Sequence, residues 1–275
     1  MNVRCFSVAR FSSRLDRAFE TFGQLCVGID PSDSELEHWE LPDTAAGARE
    51  YGLRIVDAAH DRVGVVKPQV GFFERFGSLG YQALEEVITA ARNAELIVIA
   101  DAKRGDIGST MLGYAQAWFG DDSPLRSDAL TVSGYLGPTS LTETLNHALD
   151  VQGGLFLLAA TSNKEAQELQ QGIVGNETVS SRAIQLAKTF GQGEVGVVIG
   201  ATQDLGEFGI EYIRHSDIGI PILAPGFGAQ GAKLEDLKAV FGASSGRVLA
   251  SVSRDITKGG PTRVVENISK AKAKL

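Results

Sequence analysis

Short runs of apolar, mostly β-branched residues return along the chain at near-regular intervals. Each is followed by a longer stretch in which apolar positions recur every three or four residues. Brief continuous apolar runs read as buried strands, and the longer period reads as amphipathic helix. Eight runs begin near Leu25 (LCVGID), Val63 (VGVVKP), Leu96 (LIVIADAK), Asp128 (DALTVSG), Gly154 (GLFLLAAT), Val195 (VGVVIGA), Pro221 (PILAPGF) and Arg247 (RVLASVS). Helices are expected over 44–60, 79–93, 110–118, 140–149, 179–190, 205–213, 233–241 and 262–273. The mean repeat, about 32 residues, is that of a βα unit, and eight such units close a barrel. The fold expected is therefore α/β: a single (β/α)8 TIM barrel spanning residues 1–275, with an added N-terminal helix on which Phe11, Leu15, Phe19 and Phe22 recur at helical spacing. An open doubly wound sheet is the rival, but LCVGIDPSD stands where the GxGxxG of that fold would follow the first strand. The segment 162–177, rich in Gln, Asn and Gly, breaks the periodicity and reads as an insertion or mobile cover on one βα connection.

Composition narrows the class. With 43% apolar residues the chain can fill a large core, and 26 basic against 34 acidic residues leave a net charge of −8. That sign repels polyanions, so nucleic acid and anionic membrane surfaces are not expected partners, and an anionic small substrate would need a locally basic pocket. No apolar run approaches the ~20 residues of a membrane span. The two cysteines, Cys5 and Cys26, and the four scattered histidines have no ligand spacing, so neither a disulfide framework nor a metal site is indicated and a cytoplasmic location fits. Arg4, Arg10 and Arg14 precede the first acid, Asp16, in the manner of a transit peptide, but the helical spacing of the phenylalanines favours a docked helix.

In a barrel of this kind the chemistry sits where strands end and βα loops begin. The first run ends in Asp30, the second in Lys67, the third in Asp101 and Lys103, and Arg254 follows the eighth. The third is the most informative, because the apolar LIVIA turns abruptly into DAKRGD. Strand alternation puts Asp101 and Lys103 on the face of Ile97 and Ile99, expected to be the barrel interior, whereas Asp106 lies beyond Gly105 and its direction cannot be read from alternation. Two lysines and two carboxylates converging on one mouth are costly to desolvate unless each has a partner and a use. Gly226, Gly228 and Gly231 of APGFGAQGA, followed by Arg254, suit a phosphate held by backbone N–H groups and a guanidinium at the last two strands.

VGID, VVKP, DAKRGDIGST, LLAATSN, APGFGAQGA and SVSRDI, in this order from about Leu25 to Ile256, resemble the signatures of the orotidine 5′-phosphate decarboxylases, in their longer bacterial subclass. The resemblance implies a cofactor-free carboxy-lyase that converts orotidine 5′-phosphate to UMP and CO2, the last step of UMP biosynthesis. It implies that Lys103 protonates C6, that Lys67, Asp101 and Asp106 complete the charged array, and that Asp30 and Lys67 contact ribose hydroxyls. Ser162 would bond the pyrimidine, and Gln230 and Arg254 the phosphate. Asp106, Ile107 and Thr110 would reach the site of a partner subunit, so a homodimer with shared sites is implied. Asn163 stands where some relatives have histidine.

Three other readings remain. A magnesium-dependent sugar-phosphate decarboxylase or aldolase would need a carboxylate where Lys67 stands. A Schiff-base aldolase would need a lysine in VGVVIGA. A non-catalytic binder of nucleotides or sugar phosphates would hold UMP without turning over orotidylate.

Overall fold

The eight apolar runs pair side by side into a closed parallel barrel in the computed structural model, which describes residues 9–190 and 193–275. Arg4 and Cys5 lie outside the described residues. The first half of the chain runs α1 (Phe11–Phe22), β1 (Leu25–Ile29), α2 (Asp33–His38), α3 (Ala45–Ala59), β2 (Val65–Pro68), α4 (Val70–Glu74), α5 (Gly77–Asn93), β3 (Ile97–Arg104), α6 (Gly108–Phe119) and β4 (Ala129–Val132). The second half runs α7 (Thr142–Asp150), β5 (Gly154–Ala160), α8 (Ala166–Gln170), β6 (Ile173–Val174), β7 (Glu177–Thr178), α9 (Val179–Phe190), β8 (Val195–Ile199), β9 (Ile222–Ala224), α10 (Leu237–Phe241), β10 (Val248–Val252), α11 (Arg254–Thr257) and α12 (Val264–Lys272). Around the barrel the order is β1, β10, β9, β8, β5, β4, β3, β2, and β1 closes on β2. The expected (β/α)8 barrel is the fold observed.

Alternation divides the strands into two faces. Cys26, Val65, Ile97, Ile99, Ala129, Phe156, Val198, Leu223 and Leu249 form one buried cluster with Phe11, Leu15 and Ala18 of α1, which is the barrel interior. The intervening residues, such as Val27, Val66, Val98, Ala100 and Leu157, pack outward into the helical layer. Helix α1 closes the amino end of the barrel: the Phe11 ring meets Phe156 edge to face with centroids 6.0 Å apart. A Cβ on Gly154, the first residue of β5, would stand 2.3 Å from the Phe11 ring, so this close approach requires glycine. The helix is tethered by Glu194, whose carboxylate accepts from the backbone N–H of Ser12 (2.8 Å) and from its hydroxyl (2.6 Å), and by an ion pair between Arg14 and Asp128. Phe11→Ala is therefore expected to cost about 3–5 kcal/mol, as for other fully buried phenylalanines. Urea unfolding at neutral pH reads this, and a loss below about 1 kcal/mol would mean that α1 is not part of the cooperative core.

Two sequence expectations need correction. The periodic stretch over 205–213 is not a helix but a series of turns ending in a 3₁₀ turn, Glu211–Arg214. Its apolar spacing reflects burial of Leu205, Phe208, Ile210 and Ile213, while Gly206 and Gly209, the latter at φ 65°, break the backbone. The helix expected over 233–241 divides into a 3₁₀ turn, Leu234–Asp236, and the five-residue α10. On the connection after β5, where an insertion or mobile cover is expected, the chain forms α8 and the β6–β7 hairpin.

Candidate active site

With α1 filling one end, the barrel opens at the carboxyl ends of its strands. The next inward position above the apolar layer falls on Lys67 in β2, Asp101 in β3, Thr131 in β4, Leu158 in β5 and Ser251 in β10. A cavity of about 320 Å³ lies over this tier. Asp30, Lys67, Gln69, Asp101 and Lys103 line one side of it, and Pro225, Gly226, Phe227, Ala229, Gln230, Ser253 and Arg254 line another. β9 is diametrically opposite β3 in the strand order, so the glycine-rich loop faces the charged array across the mouth. Ser162, Thr161 and Asn163 enter from the end of β5, and Leu158, Val198 and Leu223 give the cavity apolar walls.

Asp101 is the hub of the charges. Its Oδ2 accepts from Lys67 Nζ at 3.0 Å, and its Oδ1 accepts from Lys103 Nζ at 2.6 Å and from the Thr131 hydroxyl at 3.0 Å. Lys67 and Asp101 are buried; the Lys103 side chain is 45% exposed and faces the opening. Burial alone would raise the Asp101 carboxyl, but Lys67 and Lys103 outweigh it and hold that group well below the usual carboxylate range. Burial would likewise lower the Lys67 ammonium, and Asp101 with Asp30 reverses this and raises it. One tier deeper, burial pushes the Cys26 thiol up to about 12, so it stays neutral beneath the array.

These shifts set a pH dependence. A depressed Asp101 contributes stability that is complete above the unfolded carboxyl pKa of about 3.9 and is lost as pH falls below it. A raised Lys67 contributes below the unfolded ammonium pKa of about 10.4 and is lost as pH rises through its higher folded value. Stability should thus be level with respect to this pair between the two limits. Asp101→Asn is expected to lower the level and make the acid limb shallower; superimposable acid limbs for wild type and variant in urea titrations would refute the coupling.

Of the residues singled out in the sequence, Asp30, Lys67, Asp101, Lys103, Ser162, Gly226, Gln230 and Arg254 converge on the cavity. Asp30 Oδ1 is buried without a hydrogen-bond partner within the protein. Asp106, Ile107 and Thr110 do not line this cavity; Ile107 is 59% exposed and Thr110 is exposed on the first turn of α6. Gly228 is also outside it. Its N–H donates to Ala232 O at 2.8 Å, and its φ of 75° and close approach to Asp255 place it in the turn of the loop. Gln69, Thr161, Ser251 and Ser253 were not singled out in the sequence; the first two lie two residues beyond Lys67 and Ala159, and Ser251 continues the inward alternation from Leu249.

Among the described residues no group of three or more His, Cys, Asp or Glu is arranged to hold a metal ion. Lys67 occupies the site on β2 where a carboxylate ligand would face Asp101. The donor set of this mouth therefore suits an anionic ligand rather than a divalent cation.

The profile of the orotidine 5′-phosphate decarboxylase / HUMPS family matches residues 23–268. The orotidine 5′-phosphate decarboxylase of Streptomyces coelicolor is 46% identical over 259 residues, which is 91% of each chain. A solved Streptomyces avermitilis structure superposes with a TM-score of 0.91 at 40% identity, covering 100% of this chain and 97% of the other. The OMP decarboxylase of Leishmania donovani does so with a TM-score of 0.76 at 30% identity, covering 96% and 99%. Sequence and fold together place this chain in the orotidine 5′-phosphate decarboxylase / HUMPS family.

Proposed function

We propose that this protein is an orotidine 5′-phosphate decarboxylase, converting orotidine 5′-phosphate to UMP and CO2 in UMP biosynthesis, without a cofactor. The observation that carries the reading is the Lys67–Asp101–Lys103 array at the barrel mouth, with Lys67 and Asp101 buried and Lys103 facing the opening, across one cavity from a glycine-rich loop and Arg254. Loss of CO2 from C6 of the pyrimidine leaves a carbanion that no ring carbonyl is placed to delocalise as an enolate. Its stabilisation has to come from charge already in position. Lys103, whose ammonium faces the cavity, supplies that charge and then transfers a proton to C6. Asp101 fixes Lys103 and, standing next to the bound carboxylate, disfavours the reactant relative to the transition state.

Remote contacts hold the substrate in register. Arg254 and Gln230 take the phosphate, Asp30 and Lys67 the ribose hydroxyls, and Ser162 the pyrimidine edge, so binding energy far from C6 serves the reaction. The positions of Asp106, Ile107 and Thr110 outside their own cavity support a homodimer in which they complete the partner's site. No described helix is long and apolar enough to cross a membrane; a cytoplasmic location is part of the same reading. Purified protein incubated with orotidine 5′-phosphate should release UMP and CO2 in equal amounts. Binding of UMP with no such release would leave a nucleotide-binding protein instead.

A further inference from the structure

Lys103 is held in an uncommon backbone state. Five non-glycine residues among those described have positive φ: Glu40, Asp61, Glu95, Gln152 and Lys103. The first four each follow the end of a helix, where a left-handed residue is an ordinary terminator. Lys103, at φ 48°, lies inside a strand, where such a conformation persists only if its surroundings enforce it.

The cause is a break in register between β3 and β4. Ala100 pairs with Leu130 and Arg104 with Val132, so four residues advance on one strand against two on the other. Thr131 stands opposite the surplus. Its Oγ1 accepts the Lys103 backbone N–H at 2.9 Å, and its one proton goes to Asp101 Oδ1 at 3.0 Å. That same Oδ1 receives Lys103 Nζ at 2.6 Å. A single hydroxyl thus fixes both ends of Lys103: the main chain directly, and the ammonium through the carboxylate it shares. Thr131 is 1% exposed and does not line the cavity, so it has no direct contact with a ligand there. At the end of the bulge, Arg104 pairs with Glu74 at 2.8 Å.

We infer that Thr131 is a positioning residue that sets the reach of Lys103 into the cavity by enforcing the left-handed backbone of the β3 bulge. This rests on the proposed decarboxylation for its kinetic consequence, but its structural half does not. Thr131→Val keeps the shape and removes both hydrogen bonds. It is expected to lower kcat by about ten- to a hundredfold, with KM and the UMP Kd within about twofold of wild type, because an unsatisfied buried pair costs this much and remote contacts are untouched. Thr131→Ser restores the hydroxyl and should recover most of kcat. If Thr131→Val does not fold, Thr131→Ala carries the same comparison. Hydrogen exchange of the Lys103 amide, read by NMR, should quicken by at least tenfold in the variant that lacks the hydroxyl and return to the wild-type rate in Thr131→Ser.

Unchanged kcat in the variant without the hydroxyl, or a Thr131→Ser protein as slow as that variant, would overturn the assignment. So would equal loss in kcat and UMP affinity, which marks general damage. An unchanged Lys103 exchange rate overturns it whatever the turnover shows. If the wild type does not decarboxylate orotidylate, the functional reading fails by itself, and the exchange rates still decide the role of Thr131.

Discussion

Lys103→Ala is expected to lose turnover by about 10⁴-fold or more while remaining folded, because the same ammonium is asked both to stabilise the developing charge and to deliver the proton. Two unit charges about 4 Å apart interact by roughly 4 kcal/mol at an effective dielectric near 20, and the apolar walls at Leu158, Val198 and Leu223 keep the value from falling to that in water. The variant should fold because Lys103 is half exposed and its removal leaves Asp101 still paired with Lys67 and bonded to Thr131. Circular dichroism and the UMP Kd would establish that the site is intact. Turnover within about tenfold of wild type in such a protein would remove Lys103 from the chemistry.

Arg254→Ala is expected to act on binding. The guanidinium lines the cavity at the start of α11, three strands around the barrel from β3 and its charged array. Hydrogen bonds to a charged phosphate are worth about 1.5–3 kcal/mol, so KM and the UMP Kd should rise by about 10–150-fold. The nucleoside uridine, lacking the phosphate, should bind the variant and the wild type alike. Unchanged KM and UMP affinity would mean that the phosphate does not rest on Arg254.

How much of this could be read in the residues depends on how local the cause was. The barrel was legible because its strands are continuous apolar runs and its interior follows strict alternation, so Ile97 and Ile99 do face inward and Asp101 follows them. Lys103 reaches the same cavity, but not by the alternation invoked for it. The bulge reverses its backbone, and only the pairing of β3 with β4 across some thirty residues of sequence reveals that. Thr131 was hidden for the same reason: a threonine inside DALTVSG looks like an ordinary strand residue until its hydroxyl is placed against Asp101. Gly228 shows that a glycine in a phosphate-loop pattern can serve the turn of the loop without lining the cavity. The stretch over 205–213 misled because buried turns can space apolar residues as a helix does.

In the proposed mechanism fixed side-chain charges, with Lys103 foremost, remove CO2 from orotidylate with no metal. Its most direct test follows the ultraviolet absorbance of orotidine 5′-phosphate after adding wild-type protein or Lys103→Ala, both in excess EDTA. The account predicts that the orotidylate signal decays to that of UMP with wild type and persists with the variant. No decay with folded wild type, or decay restored only by magnesium, would contradict it and direct attention to sugar phosphates.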